Sequence, residues 1–208
     1  IAELNFERFR QMDLRRNLTP ALMAYEGIQY QYMAPAVMED GSIDYLQEHL
    51  RILSGFYGIL KPMDGVVPYR LEMQAKLKPE LEAEYFSEKT GADKPAVFNF
   101  LYQFWGRRLA DRLLQETDTI INLASKEYSK VISPYLTPEI RFITCIFGEY
   151  KDGKIIEKGT FAKMARGEMV RFMAERQARS PEVMQEFHRL GYQFLPEESD
   201  EKTYVFIK

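Results

Sequence analysis

The hydrophobic pattern along the chain switches repeatedly between helical and strand periodicity. Apolar spacings of three and four predict helices at 44–53, 101–115, 160–178 and 181–190. Short apolar or alternating runs predict strands at 21–25, 28–33, 119–124, 140–149, 154–158, 192–195 and 204–207. Because helices and strands interleave, with no internal repeat and no linker, the pattern predicts one compact mixed α+β domain over residues 1–208.

Two further features concern a turn and the surface. The pair Asp152-Gly153 lies between two of the predicted strands and predicts a tight β-hairpin. Residues 78–95 are polar and charged, with a glycine and two prolines near their ends. We expect this second segment to be a surface insertion that does not carry the function.

Two glycine-containing bends lie close together in the stretch 49–77. A helical pattern that reaches Leu53 is broken by Gly55 and Gly58, and the sequence Lys-Pro-Met-Asp-Gly from Lys61 onward is a second break. Such bends would place backbone N–H groups and positive charge on one surface, an arrangement that suits phosphate. The alternative, that they are ordinary turns between core elements, stays open because an isolated Gly-x-x-Gly is common.

Composition restricts the class of protein. The 208 residues are 46% hydrophobic, which is enough for one sizeable core. The net charge of −3 gives no overall basic field, so nucleic-acid binding would need a local basic patch. The single cysteine, Cys145, lies in an apolar run that predicts a buried thiol. No run approaches the length of a membrane span and no signal peptide is evident, so we expect a cytoplasmic protein.

Four ordered blocks of sequence carry a family resemblance. They are LRILSGFYGILKPMD with PYRLEM at 50–64 and 68–73, LYQFWG at 101–106, INLASKEY at 121–128 and KMARG at 163–167. Together they closely resemble the signature of the bacterial peroxide-stress protein YaaA family, from about Ala21 to the C-terminus. Members of that family open with a short apolar strand and a Ser-Pro-Ala-Lys-like turn, neither of which is present at Ile1. For residues 28–33 the resemblance implies a more helical state than their alternating pattern does.

The resemblance implies DNA binding through a helix-hairpin-helix-like element. Such an element binds the DNA backbone through hairpin amides and a neighbouring basic residue, without reading bases. In this chain Ser54, Gly55, Tyr57 and Gly58 would form the hairpin and Lys61 would supply the charge. The glycines here are three residues apart, whereas the usual hairpin has them two apart.

We expect basic side chains from several blocks to converge on one positively charged cleft. The candidate DNA-binding or phosphate-binding residues are Arg51, Ser54, Gly55, Tyr57, Gly58, Lys61, Arg70, Lys76, Lys126, Lys163, Arg166 and Arg171. Trp105 and Tyr128 are the candidate stacking groups. Side chains of these types position phosphates rather than transfer protons.

Several of these residues also have a structural interpretation. Arg51 lies three residues after Glu48, a spacing that favours an exposed ion pair. The lone tryptophan, Trp105, is more often a core residue. Lys163 and Arg166 border the buried face of the 160–178 helix, so they either cover the core or reach into a groove at its edge.

Motifs for catalysis and for metal binding are missing from the sequence. The two histidines, His49 and His188, lie in no metal-binding spacing, and Glu182 with Glu186 lacks the second pair that a di-iron centre needs. There is no Gly-x-Ser-x-Gly, Walker or Gly-x-Gly-x-x-Gly motif. We expect no metal, cofactor or catalytic residue, and the sequence predicts no oligomeric state.

Three functional hypotheses follow. The first is a non-enzymatic DNA-binding protein of the peroxide-stress response that limits oxidative DNA damage. The family is associated with low free iron, which would be an indirect or separate effect. The second is an enzyme that acts on a nucleotide or nucleic-acid base, with Glu72 as acid or base. The third is a structural partner protein without a ligand, which the acidic net charge keeps open.

Overall fold

The computed structural model describes Asn5, Arg8, Arg10, residues 12–75 and residues 100–208. Lys76 and the predicted insertion at 78–95 lie outside this part of the chain. The described helices are α1 (Ala21–Ala24), α2 (Ile28–Met33), α3 (Asp40–His49), α4 (Leu101–Trp105), α5 (Arg108–Leu114), α6 (Lys126–Ser129) and α7 (Gly159–Glu175). The described strands are β1 (Thr19–Pro20), β2 (Ile52–Ser54), β3 (Gly58–Leu60), β4 (Gly65–Val66), β5 (Thr119–Asn122), β6 (Arg141–Lys151), β7 (Lys154–Ile156), β8 (Gln193–Phe194) and β9 (Thr203–Ile207). The fold is α+β, as predicted.

The central sheet has the strand order β5-β6-β9-β8, with β7 paired to the end of β6. Strand β6 is parallel to both β5 and β9, while β8 is antiparallel to β9. The turn between β6 and β7 holds Asp152 at φ 52° and Gly153 at φ 72°. Positive φ at both central residues is the geometry that an Asp-Gly hairpin turn requires, so the predicted hairpin is confirmed.

The main hydrophobic cluster joins the central sheet to α7. Alternate residues of β6, namely Ile143, Cys145 and Phe147, are at most 2% exposed and pack in one cluster with Met169 and Phe172 of α7. Burying one such large side chain stabilises the fold by roughly 1.5–3 kcal/mol. The predicted burial of Cys145 is confirmed, and that burial raises the pKa of its thiol to about 12.

The predicted strands at 21–25 and 28–33 are wrong, because both segments contain helices. Helix α2 packs so closely on α7 that a Cβ atom on Gly167 would lie 2.1 Å from the carbonyl oxygen of Gln29. Met33 at the end of α2 is 2% exposed. The alternating pattern predicted a strand because it contains no information about this contact, and tertiary packing overrides local periodicity.

Three predicted helices have different bounds in the structure. The first begins four residues earlier than predicted and ends at His49, so that Ile52 opens β2. Gly106, at φ 50°, ends α4 and divides the second predicted helix in two. The helix predicted at 181–190 is only a short 3-10 helix at Pro181–Glu186. Local turn geometry, rather than hydrophobic spacing, sets each of these boundaries.

The substitution Gly167→Ala tests the contact between α2 and α7. The new methyl group would lie 2.1 Å from the Gln29 carbonyl oxygen and 2.9 Å from the Met33 nitrogen, so the two helices must move apart. We expect the free energy of unfolding to fall by about 1–3 kcal/mol, measured by urea denaturation. Gly159→Ala is the control, since nothing lies within 4 Å of that Cβ position at the start of α7. Equal stability of the two variants would contradict this description.

Candidate nucleic-acid interface

The family-like stretch folds as a β-hairpin made of β2 and β3. The register pairs Ser54 with Gly58 across the turn. The Ser54 hydroxyl oxygen accepts hydrogen bonds from the backbone N–H groups of Phe56 at 3.1 Å and Tyr57 at 2.9 Å. Because Ser54 is 1% exposed, this side chain shapes the turn from inside the protein.

Both glycines of the hairpin allow close packing. A Cβ atom on Gly55 would lie 2.8 Å from the carbonyl oxygen of Leu71, and one on Gly58 would lie 2.9 Å from the Trp105 ring. Gly58 also has a φ of 82°, which favours glycine. The indole Nε1–H of Trp105 donates to the Gly55 carbonyl oxygen at 3.0 Å. Trp105 thus holds the hairpin against α4. It is partly exposed and packs against the core from outside, whereas the structural interpretation predicted a core residue.

The helix-hairpin-helix interpretation is not confirmed. Helix α3 precedes the hairpin, but residues 61–75 contain no helix after it. The chain around Ser54 pairs as two β-strands, and the turn amides of Phe56 and Tyr57 are bonded to the Ser54 hydroxyl. These amides therefore do not present free N–H groups to a phosphate.

Side chains alternate between the two faces of the hairpin. Ser54 shares one face with Ile52, whereas Arg51 lies on the opposite face with Leu53. Extending the register by one pair places Arg51 across from Lys61. The candidate phosphate-binding residues of this stretch are consequently divided between two surfaces.

Three cations surround one carboxylate at the base of the hairpin. Arg51 Nε donates to Glu116 Oε2 at 2.8 Å, and Arg112 Nη2 lies 2.8 Å from Glu116 Oε1. The hydrogen bond from Arg51 is the main reason why the pKa of Glu116 is lowered, and the charges of Arg112 and Lys61 add to it. Arg51 was predicted to pair with the carboxylate of Glu48. It donates instead to the backbone oxygen of Glu48, at 3.0 Å. Three positive charges and one negative charge leave this group at +2.

Arg108 extends the group along α5. Arg108 and Arg112 are four positions apart on α5, so their side chains share one helical face with a rise of about 6 Å between them, and Glu116 follows in the turn just after the helix. The Arg108 guanidinium lies 4.8 Å from the centre of the Phe104 ring. We call this set the cation row; its members are Arg51, Lys61, Arg108 and Arg112. Arg108 and Arg112 were not among the predicted site residues, although their spacing of four was a visible signal.

The other candidate arginines have their own carboxylate partners. The pairs are Arg70–Glu72 at 3.8 Å, Arg166–Glu157 at 3.3 Å and Arg171–Glu175 at 2.7 Å. Arg166 and Arg171 are five positions apart on α7, which places them about 140° apart around the helix. Lys126 and Lys163 are exposed. The structure thus brings together Arg51 and Lys61 but not the whole predicted set.

Arg166 lies close to the main core. Its side chain is only 12% exposed, and its partner Glu157 also accepts a hydrogen bond from the Phe147 backbone at 3.2 Å. The charge of Arg166 lowers the pKa of the buried Cys145 thiol, and the charge of Glu157 raises it. This placement supports the interpretation in which Arg166 covers the core.

Five tyrosines meet on the Ser54 side of the hairpin. We call them the tyrosine cluster; its members are Tyr25, Tyr30, Tyr57, Tyr69 and Tyr128. The rings of Tyr25 and Tyr30 stack with centres 5.5 Å apart, and those of Tyr57 and Tyr69 lie edge to face at 5.4 Å. Tyr128 of α6 is close enough to interact electrostatically with Tyr25. All five rings are partly exposed, so the cluster lies at the surface.

Hydrogen bonds connect the hydroxyl groups of the cluster. The Tyr69 hydroxyl is bonded to both the Ser54 and the Tyr25 hydroxyl groups. Burial is the largest cause of the raised pKa values of Tyr25 and Tyr69. Burial also raises the pKa of Tyr128 to about 12, helped by the neighbouring carboxylate of Glu127. Tyr25, Tyr69 and Tyr128 are therefore neutral hydrogen-bonding groups at physiological pH.

Comparison with known proteins identifies the family. A family model described as "Peroxide stress protein YaaA" matches residues 1–198. The chain belongs to the YaaA family. A UPF0246 protein of Desulfitobacterium hafniense is 53% identical over 208 residues, which cover all of this chain and 76% of that relative. UPF0246 proteins of Lachnoclostridium phytofermentans and Pediococcus pentosaceus are 52% and 50% identical, with 75% and 76% of each relative covered.

Family membership confirms the resemblance carried by the four sequence blocks and supports a role in peroxide stress. Within the described residues of this YaaA-family chain, no group of three or more His, Cys, Asp or Glu side chains could hold a metal ion. The same part of the chain contains no helix that is long and apolar enough to cross a membrane.

An alkaline titration tests the burial of the tyrosine hydroxyls. The folded pKa of Tyr128, about 12, exceeds its ordinary value of 10.0. The resulting stabilisation is complete below pH 10 and is lost as the pH rises through about 12. We expect tyrosinate absorbance to appear in two stages, the later of which includes Tyr128. The variant Tyr128→Phe should remove one tyrosine from the later stage, and titration of every tyrosine near pH 10 in the folded protein would contradict the prediction.

Proposed function

We propose that this YaaA-family protein acts in the cytoplasm during peroxide stress by binding the phosphate backbone of DNA, largely without regard to sequence. Binding would limit oxidative damage to the DNA, with lower free iron as an indirect or separate effect. The cation row is the observation that carries this proposal. It provides four positive side chains near the Glu116 carboxylate, with the Asp64 carboxylate beside Lys61 as a second negative group.

The exposure of these side chains allows a phosphate to replace Glu116 as the ion-pair partner of Arg112. The Arg112 side chain is 58% exposed, whereas Arg51 and Glu116 are 16% and 24% exposed. Exposed ion pairs contribute only about 0–1 kcal/mol, so a phosphate oxygen can replace Glu116 on Arg112 at little cost. Arg51 remains bonded to Glu116 and fixes the position of that carboxylate.

The remaining candidate residues support the row in two ways. Ser54, Gly55 and Gly58 act indirectly, because they maintain the hairpin that places Arg51 and Lys61 side by side. Further phosphate contacts are proposed for other exposed cations of the candidate set; these are Arg70, Lys126 and Lys163.

The overall negative charge does not oppose this proposal. Salt at about 0.1 M screens exposed charges beyond roughly 10 Å, so distant acidic residues have little effect on the row. At the row, four cations with the carboxylates of Glu116 and Asp64 leave a local charge of +2. A local field of this kind attracts a polyanion even when the net charge is −3.

The salt dependence of duplex binding tests the proposal. If Lys61, Arg108 and Arg112 neutralise three phosphates, log K should fall with log salt with a slope of about −2.7. Lys61→Ala should weaken binding and make that slope shallower by about 0.9, because one fewer counterion is released. Fluorescence anisotropy with a labelled duplex at several salt concentrations would measure both quantities.

Lys151→Ala is the matched control for Lys61→Ala. Lys151 is an exposed lysine at the tip of the β6–β7 hairpin and is not part of the row. Its removal should leave the salt slope unchanged. Equal effects of the two substitutions, or affinity independent of salt, would contradict the proposal.

One observation favours a second candidate function, an enzyme acting on a nucleotide or nucleic-acid base. The Glu72 carboxylate is near enough to Tyr128 to influence its hydroxyl, and it also pairs with Arg70 at 3.8 Å. A carboxylate beside a phenol can serve in proton transfer. Release of free base or phosphate from DNA by the wild-type protein, but not by Glu72→Gln, would support this candidate.

A further inference from the structure

We propose that the tyrosine cluster binds a single unpaired nucleobase at a site separate from the cation row. The tyrosine hydroxyl groups would donate hydrogen bonds to the carbonyl oxygens of the base. The proposal takes its class of ligand, nucleic acid, from the proposed function. It assigns the base and the phosphates to opposite faces of the same hairpin. The cluster is defined above by five partly exposed rings and the buried Ser54 hydroxyl.

The hydrogen bonds around Ser54 lead outward to Tyr25. The Ser54 oxygen already accepts from two backbone N–H groups, those of Phe56 and Tyr57, so its own proton is directed to the tyrosine hydroxyl oxygens, of which both Tyr69 and Tyr25 are within reach. The Tyr69 proton is then directed to the Tyr25 oxygen. Tyr25 is the end of this relay, and its O–H has no acceptor within the described part of the chain.

The hydroxyl groups of Tyr57 and Tyr128 likewise accept a hydrogen bond and still have their own proton to donate. The Tyr57 oxygen accepts from the Val67 backbone N–H at 3.0 Å. The Tyr128 oxygen accepts from the Met73 backbone N–H, a contact that lowers its pKa against the larger effect of burial. Each of these oxygens already accepts one hydrogen bond while its own proton is still to be donated, so the cluster offers O–H donors and its complementary ligand is a hydrogen-bond acceptor. Hydrogen bonds in a chain polarise each other, which strengthens the terminal donor at Tyr25.

The charges beside the cluster favour a neutral acceptor over a phosphate. The carboxylates of Glu72 and Glu127 both act on Tyr128 and raise its pKa. A phosphate brought to this point would be repelled by both carboxylates, whereas a carbonyl oxygen carries no net charge. The phosphates are therefore assigned to the cation row and to exposed cations such as Arg70 and Lys126, and not to the tyrosine hydroxyls.

The rings of the cluster select a planar ligand. Tyr25 and Tyr30 stack with an interplanar angle of 20°, and Tyr57 and Tyr69 stand nearly perpendicular to each other. Partly exposed aromatic faces bind unstacked bases in many single-strand binding proteins. A planar ring with carbonyl acceptors describes a nucleobase such as thymine, and only an unpaired base can present both its face and its edge.

Binding of thymidine, which has no phosphate, tests the site directly. We expect thymidine to shift the aromatic NMR signals of the cluster tyrosines, while inorganic phosphate at the same concentration leaves them unchanged. Tyr25→Phe keeps the ring and removes the terminal donor, so it should weaken thymidine binding about threefold to tenfold. Tyr69→Phe keeps the Tyr25 hydroxyl group but removes the hydrogen bond that Tyr69 makes to it, so it should cause a smaller loss of thymidine affinity.

Tyr150→Phe is the matched control, because that hydroxyl lies on β6 and contacts Glu198 at 3.4 Å. It should bind thymidine like the wild-type protein. The inference is overturned if millimolar thymidine shifts no cluster signal, if phosphate produces the same shifts, or if the folded Tyr25→Phe variant binds with unchanged affinity. Duplex binding with a steep salt slope would then still support the proposed function. Thymidine binding without any duplex binding would support the base site alone.

Discussion

The packing of the β2–β3 hairpin against Trp105 is the constraint on which the candidate interface depends. The indole N–H is bonded to the Gly55 carbonyl oxygen, and the ring occupies the space that a side chain at Gly58 would need. This contact fixes the hairpin relative to α4 and α5. It thereby brings the Arg51 edge of the hairpin to Glu116 and leaves the Ser54 face for the tyrosines.

The two faces of the hairpin differ in the kind of interaction that they offer. One face carries more guanidinium and ammonium groups than carboxylates, and its attraction for anions depends on salt. The other carries neutral hydroxyl groups and aromatic rings beside two carboxylates, and its hydrogen bonds depend little on salt. A strand with side chains that alternate in direction can serve both surfaces because its period is two residues.

Much of the fold could be predicted from local sequence. The Asp152-Gly153 hairpin, the long helix near 160–178 and the burial of Cys145 follow from turn chemistry and hydrophobic spacing. The helical state of 28–33 could not, because it depends on the contact of Gln29 with Gly167, which lies far away in sequence. The assignment to the YaaA family was correct because four separated blocks agreed in order.

The candidate site was predicted less well than the fold. The stretch around Gly55 was recognised, but its glycines serve packing against Trp105 and Leu71 rather than free amides for phosphate. The meeting of Tyr25 with Tyr69 and Tyr128 depends on tertiary contacts, so no local pattern indicates it. Likewise, the sequence showed Arg166 as a cation but not that Glu157 pairs with it.

The central claim is that one hairpin presents phosphate-binding and base-binding surfaces on opposite faces. An NMR footprint of the wild-type protein with a short single-stranded oligonucleotide and with a duplex of the same sequence tests it most directly. The account predicts that the single strand shifts signals of both the cation row and the tyrosine cluster, while the duplex shifts the cation row alone. Shifts confined to residues outside both surfaces would contradict it.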